Sequence, residues 1–327
     1  MVSETTLCTA IEAGYLEQQV LLLAESLRLF GCHRARLPLV AVRPRKGPRI
    51  ARATQRRLSK LDVTLVEDET LSVEYSWWAM ANKPAALRYV EDKAHTANIT
   101  WIDGDMMVLA EPGSFAPPSG YDFIARAGEA HDVASSGKDE KAEFWRRLCK
   151  LLDLNFDEFP EITSYPDRKP IKAYWQGGLF AYRRELDFAR KFLQVNETLL
   201  DGTIASKSAG IYHTDQVALA LTVQALGLRA AEYDPRMNFN VSPLDKESSV
   251  KLPITDVQLM QYHLSLWPDG FPWIRELMKP LPSDRLELLD RYGPLRESTV
   301  RTKLPRKLHQ LSRDRKIKAY KARVIPY

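Results

Sequence analysis

The chain has 327 residues, of which 45% are hydrophobic and 27% charged, with 15 Gly, 20 Pro and three Cys. That is material for one large α/β domain or two smaller ones, and it excludes a collagen repeat, a disulfide scaffold and a disordered chain. The net charge of +5 is unevenly spread: Arg301 to Tyr327 carries ten Lys/Arg and one acid, while the other 300 residues hold 37 basic against 41 acidic side chains.

Thr6 to Glu12 reads as a buried strand closed by Gly14. Leu16, Val20, Leu23, Leu27 and Phe30 then share one helical face, and Gly31 ends the helix. Leu37 to Val42 is a second strand, Ile50 to Leu61 a helix and Val63 to Glu67 a third strand. Such alternation predicts a mainly parallel sheet covered by helices. Lys83 to Lys93 is a further helix, and the apolar strand Ile99 to Ile102 runs into Asp103-Gly104-Asp105 and continues through Met106 to Leu109. Tyr121 to Ala127 is a strand, Glu140 to Leu152 an amphipathic helix, and Ala173 to Tyr182 a strand interrupted by Gly177-Gly178. Leu186 to Leu193 is helical, Asp215 to Leu226 is a helix with Thr214 as its N-cap, and Arg229 to Tyr233 and Val257 to His263 are late strands. Short helices follow Pro280, and in the basic tail Leu304, Leu308 and Leu311 fall on one face of a possible helix.

No apolar run approaches the roughly 18 residues of a membrane span. The longest stretch, Tyr15 to Phe30, contains Glu17, Gln18, Gln19, Glu25 and Arg28. Met1 to Thr6 has no basic region followed by an apolar one, and Cys8, Cys32 and Cys149 are odd in number and far apart. A cytoplasmic enzyme in a reducing compartment is expected, with peripheral contact to an anionic membrane through the basic tail as a further expectation.

Asp103-Gly104-Asp105 carries the most chemistry. It lies where an apolar strand ends, the place where open α/β sheets bind ligands. In extended chain, residues two apart point the same way, so both carboxylates face one point, and Gly104 leaves that point open. Paired hard oxygens suit Mg²⁺ or Mn²⁺ held together with substrate phosphates. His263 closes the run Val257 to Tyr262 at another strand end, and an imidazole added to two carboxylates favours Mn²⁺.

In order and spacing these signals resemble the GT-A nucleotide-sugar glycosyltransferases, in particular the metal-dependent retaining branch that includes glycogenin and the bacterial lipopolysaccharide galactosyltransferases. The likeness spans about residues 6 to 270. It implies a GT-A α/β fold over 1–280, followed by a helical, basic extension over 281–327. Ala10, Ile11, Glu12 and Tyr15 stand where the family binds the nucleoside, and Asn82-Lys83 precede the Asp-x-Asp strand. Asp103, Asp105 and His263 stand at the metal positions, with Gly104 between the aspartates. Gln176-Gly177-Gly178 resembles the small-residue strand behind the donor sugar, and Asp215-Gln216 the pair that opens a helix at the sugar. The resemblance implies transfer of a sugar from a UDP-sugar to a glycan or lipid-linked acceptor, with Mn²⁺ or Mg²⁺ as cofactor and the anomeric configuration retained. The chain departs from the family pattern in three places. No lysine follows His263, which leaves Lys83 as the cation nearest the diphosphate; Gln176 replaces Asn; and Glu12 replaces Asp.

Two other readings compete. A sugar nucleotidyltransferase needs a Gly-rich basic loop after the first strand, where this chain has Glu12-Ala13-Gly14-Tyr15-Leu16-Glu17. A non-enzymatic polyanion binder would act through the tail, whose only aromatics are Tyr320 and Tyr327, and no nucleic-acid-binding module is visible.

Overall fold

A computed structural model describes residues 4–72, 74–131, 133–207, 210–241, 252–296 and 300–327, the side chains of 300–306 excepted. The chain opens as β1 (Thr5–Ala10), α1 (Tyr15–Phe30), β2 (Leu39–Arg43), α2 (Arg52–Lys60), β3 (Val63–Glu67), α3 (Asn82–Lys93) and β4 (Asn98–Ile102). It continues through β5 (Met106–Val108), β6 (Phe123–Ala127), α4 (Ala142–Lys150), the antiparallel pair β7 (Glu161–Thr163) and β8 (Pro170–Lys172), β9 (Trp175–Arg183) and α5 (Phe188–Asp201). The last part holds β10 (Ile204–Ala205), α6 (Thr214–Ala225), β11 (Ala230–Glu232), β12 (Phe239–Asn240), β13 (Leu259–Gln261), α7 (Phe271–Met278), α8 (Ser283–Tyr292), α9 (Val300–Lys321) and β14 (Ile325–Pro326). Among the described residues, no helix is long and apolar enough to cross a membrane.

Seven strands form the central sheet in the order β11-β6-β9-β4-β1-β2-β3. All run parallel except β9, which is antiparallel to both β4 and β6. That one reversal matters. It brings the first residues of β9 to the edge where β1 and β4 end, and the Asp103 amide donates to the Gly178 carbonyl at 2.8 Å. Successive residues of a strand face opposite sides, so Leu7 joins one core layer and Cys8 the other. The first layer packs α1, α7 and α8 on one face, and the second packs α3, α4, α5 and α6 on the other.

Several local expectations change. Met106 to Val108 does not continue β4; it pairs antiparallel with β13 in a separate three-stranded sheet, β12-β13-β5. Asp103-Gly104-Asp105 is therefore a turn between two sheets rather than extended strand. β9 runs unbroken through Gly177-Gly178, but its pairing with β6 slips there, two steps along β6 answering five along β9. Backbone without Cβ atoms accommodates that bulge. His263 lies two residues beyond β13 and starts a short 3₁₀ turn. His213, not Thr214, is the N-cap of α6, and the Thr214 hydroxyl donates back to the Ile211 carbonyl. The tail does form a helix, but Leu308 and Leu311 stay in solvent while Tyr320 is buried. The side chains of Lys303, Leu304, Pro305 and Arg306 lie outside the described residues.

The aromatic packing behind β9 is dense. Phe188 is fully buried, stacked on Tyr182 at 4.4 Å and in contact with the rings of Phe123 and Phe192. Phe188→Ala is expected to cost about 3–5 kcal/mol through lost burial and the cavity left behind, read from urea unfolding of both proteins.

Candidate active site

Beyond the ends of β1 and β4 opens a cleft of about 970 Å³, a size suited to a small-molecule ligand. Ala10, Glu12, Tyr15, Asn82, Lys83, Asp103, Gly104, Asp105, Gln176, Gly177, Gly178, Asp215, Gln216 and His263 all line it. Of the residues singled out in the sequence, Ile11 alone does not. Its side chain is fully buried in the core, because alternation turns it away from its neighbours Ala10 and Glu12.

Lys83 organises the floor. Its Nζ donates to the Gly177 carbonyl at 2.7 Å, pairs with Asp215 Oδ2 at 2.8 Å and lies 3.6 Å from Asp103 Oδ1. It also sits 5.3 Å from the centre of the Trp101 ring. Burial would lower its pKa, but Asp103 and Asp215 more than offset that and hold it above the usual lysine range. A Cβ on Gly177 would come within 2.9 Å of this Nζ and 3.0 Å of Gln216 Cγ, so a side chain there would push the ammonium from its place. Gln216 accepts from the Tyr174 hydroxyl at 3.3 Å, and its amide nitrogen lies 3.0 Å from His213 Nδ1.

Asp103 and Asp105 converge. The Gln261 amide nitrogen is 3.3 Å from Asp103 Oδ2 and 3.1 Å from Asp105 Oδ1, so one NH₂ group stands between the two carboxylates. His263 Nδ1 is 3.5 Å from Asp105 Oδ2, on a backbone with φ of 44°, a left-handed conformation that costs a non-glycine residue about 1 kcal/mol or more. Burial and the neighbouring Asp105 push the Asp103 carboxyl up to about 6, although Lys83 pulls it down. Burial also works against Asp105, but His263 and Gln261 hold its carboxyl below the usual carboxylate range.

Among the described residues, no three His, Cys, Asp or Glu side chains are drawn together as a formed metal site. The donor set nevertheless fits a hard divalent cation. Two carboxylates already share one hydrogen-bond donor, Asp103 is poorly compensated in its charge, and His263 adds a nitrogen beside Asp105.

The sequence did not single out several other residues of the cleft. Gln261 reaches the carboxylates because β13 pairs with β5 and sets Gln261 opposite Met106, next to Asp105. Gln176 accepts from Arg126 at 2.9 Å and from Asn238 at 3.1 Å. The Arg126 guanidinium is buried, stacks 4.0 Å from the Tyr165 ring, and is pushed down to about 10 by burial. Glu129, 3.0 Å from His131, adds a fifth acidic residue to the wall. At the far end, Glu12 is held by Arg45, by Asn82 at 2.7 Å and by Arg313 at 3.3 Å, and Tyr15 packs edge-on against Trp267 at 5.2 Å. These partners come from distant positions and carry no local sequence signal. The exceptions are Asn82, singled out in the sequence, and Arg313, counted there as one charge of the basic tail.

The cleft thus lies at the carboxyl edge of a mainly parallel sheet with one reversed strand, over the Asp103-Gly104-Asp105 turn. The chain belongs to the Rhodobacterales glycosyltransferase domain family, whose model matches residues 7–227. It is an enzyme that transfers sugars. Among solved structures it is similar to the bifunctional glycosyltransferase WbbM in its apo form, at 13% identity and a TM-score of 0.51 over 88% of this chain and 52% of that one. It thus spans about half the length of WbbM. It is also similar to the galactosyltransferase LgtC solved with donor and acceptor sugar analogues, at 13% identity and a TM-score of 0.50 over 90% of this chain and 98% of that one. At such identities the likeness concerns the fold. No curated protein matches the sequence.

The raised Asp103 pKa has a consequence for stability. A carboxyl that titrates higher in the folded state penalises folding once it is ionised. The penalty is therefore present above pH 6 and fades as pH falls toward the unfolded value near 4. Asp103→Asn is expected to stabilise the metal-free protein by about 1–3 kcal/mol at pH 7.5 and by almost nothing at pH 4, read from denaturant midpoints at both pH values. A variant less stable than wild type at pH 7.5 would contradict this.

Proposed function

We propose that this enzyme transfers a hexose from a UDP-sugar to a glycan or lipid-linked acceptor, with Mn²⁺ or Mg²⁺ held by Asp103, Asp105 and His263 and with retention at the anomeric carbon. The observation that carries the reading is the convergence of Asp103 and Asp105 on one point beside the Lys83–Asp215 pair. Bound there, a divalent cation supplies Lewis acidity that neutralises the departing diphosphate.

The chain's own residues set the rest. Gly177 and Gly178 let backbone approach the sugar closely, where any side chain would intrude. Asp215, in the first turn of α6, offers its carboxylate to sugar hydroxyls while Lys83 fixes its position. Gln216 presents its amide beside the sugar, braced by Tyr174 and His213. The pairing of Asp215 with an ammonium favours retention, since a carboxylate so engaged is a weak general base for an acceptor hydroxyl. Glu129 is a further carboxylate on the wall, apart from Asp103 and Asp105 at the metal positions and Glu12 at the far end. An inverted product lost in Glu129→Gln would replace the retaining assignment, and NMR of the product anomer decides between them. The exposed face of α9, with Leu308 and Leu311 among lysines and arginines, is the surface a cytoplasmic enzyme would turn to an anionic membrane bearing such an acceptor.

A screen of nucleotide release across nucleotide-sugars, in the presence of Mn²⁺, tests the donor. Release from UDP-sugars is expected, and release only from other nucleotides would overturn that assignment. Asp105→Asn is expected to lower turnover by roughly a thousandfold with the fold intact; full activity in excess chelator would remove the metal from the reading. Gln216→Ala is expected to lower turnover while UDP affinity stays near wild type. An equal loss of UDP binding would move Gln216 from the sugar to the nucleotide.

A further inference from the structure

The C-terminal helix does not stand apart from the cleft. His309, Gln310 and Arg313 of α9 line it together with Glu12 and Arg45. Arg313 Nη1 lies 3.3 Å from Glu12 Oε2, and its Nη2 donates to the Lys46 carbonyl at 2.7 Å. Both side chains of the pair are largely buried, at 15% and 17% exposure. The other carboxylate oxygen of Glu12 accepts from Arg45 and from Asn82. Burial opposes the charged form, yet Arg45, Arg313 and Asn82 hold the Glu12 carboxyl below its usual range. One carboxylate is thus held between two guanidiniums, one from the body of the protein and one from the tail.

The helix is anchored so that Arg313 stays there. Seven residues on, about 10 Å along the axis, Tyr320 is buried against Trp77 with ring centroids 5.0 Å apart, and its hydroxyl donates to the Leu200 carbonyl at 2.6 Å. Beyond it, β14 pairs with β10, and the Tyr327 amide donates to the Ala205 carbonyl at 2.9 Å.

We propose that the C-terminal helix is a wall of the nucleoside pocket, and that Arg313 is a positioning residue which orients the Glu12 carboxylate for the nucleoside of the donor. This rests on the nucleotide-sugar reading. The pair lies beside Asn82, at the end of the cleft reached by the β1–α1 turn, whereas the carboxylates that would meet the diphosphate lie beyond β4. The contribution of Arg313 therefore belongs to the nucleoside and should be the same whether one phosphate or two follow.

The test titrates UMP and UDP, with CDP, ADP and GDP alongside, into the full chain in the presence of Mn²⁺. Arg313→Gln is expected to weaken UDP and UMP by the same factor, about tenfold, as befits the loss of one charge-assisted contact. Donor KM should rise with kcat within about twofold, and Arg313→Lys should recover part of the affinity. Glu12→Gln should give a similar loss, and the double variant should be no worse than the poorer single, since both changes break one unit. Lys316→Ala, an exposed charge on the same helix, should behave as wild type. Unchanged affinity in Arg313→Gln, a loss confined to UDP, or additive losses in the double variant would each overturn the role of the tail alone. Failure of the wild type to bind any of the four diphosphates would overturn the donor reading, and the role of the tail with it.

Discussion

The site depends on one buried ammonium. Lys83, from the first turn of α3, reaches three segments that are far apart in the chain: the start of β9 at Gly177, the first turn of α6 at Asp215 and the turn after β4 at Asp103. A charge buried this way is tolerated only when paired and hydrogen-bonded, and here it is both. The pairing imposes conditions in turn. Gly177 leaves the ammonium its place by lacking a side chain, β9 must run against its neighbours so that its start lies at the carboxyl edge, and α6 must begin beside that edge. Each condition is met by an element whose own sequence does not require it.

The same region carries charge that it does not fully compensate. Two aspartates, Asp103 and Asp215, share one lysine with Asp105 close by, and the balance falls on Asp103, whose carboxyl rises while that of Asp105 falls. The Gln261 amide and the left-handed His263 stand at the same point. A protein selected for stability alone would have no reason to assemble such a set. An anionic ligand arriving with a cation would find the positive charge and the carboxylates already in place, which is the preorganisation a departing phosphate requires.

The segment after residue 280 joins two structures. α8 buries Leu288 and Leu289 in the same core layer as α1, while the described side chains of α9 lie mostly in solvent and the helix enters the body at Arg313 and Tyr320. Tyr320 closes an aromatic cluster with Tyr75, Trp77 and Trp78, from the segment that leads into α3 and Lys83. The chain end pairs with β10, close ahead of α6 and Asp215. The tail thus braces both approaches to the cleft, and its basic character, read from composition as a surface property, conceals one arginine with an interior role.

The strand–helix alternation of the first hundred residues, the parallel sheet and the positions of Asp103, Asp105, Asp215 and the glycine pair were legible in the chain. Hydrophobic periodicity and strand-end residues are local signals that survive without tertiary context. Three kinds of feature were not. Met106 to Val108 reads as a continuation of β4, because an apolar triplet says nothing about which sheet it joins. The exposed faces of α9 could not be ordered, because Leu308 and Leu311 look as buriable as Tyr320 until the aromatic cluster that receives Tyr320 exists. And the partners that give the site its chemistry, Gln261 between the aspartates, Arg126 on Gln176 and Arg313 on Glu12, lie 50 to 301 residues from what they touch. Sequence determined which residues could do chemistry, since composition and strand ends are written locally. Tertiary structure alone decided which charges meet, because ion pairs across such separations are set by the packing of whole elements.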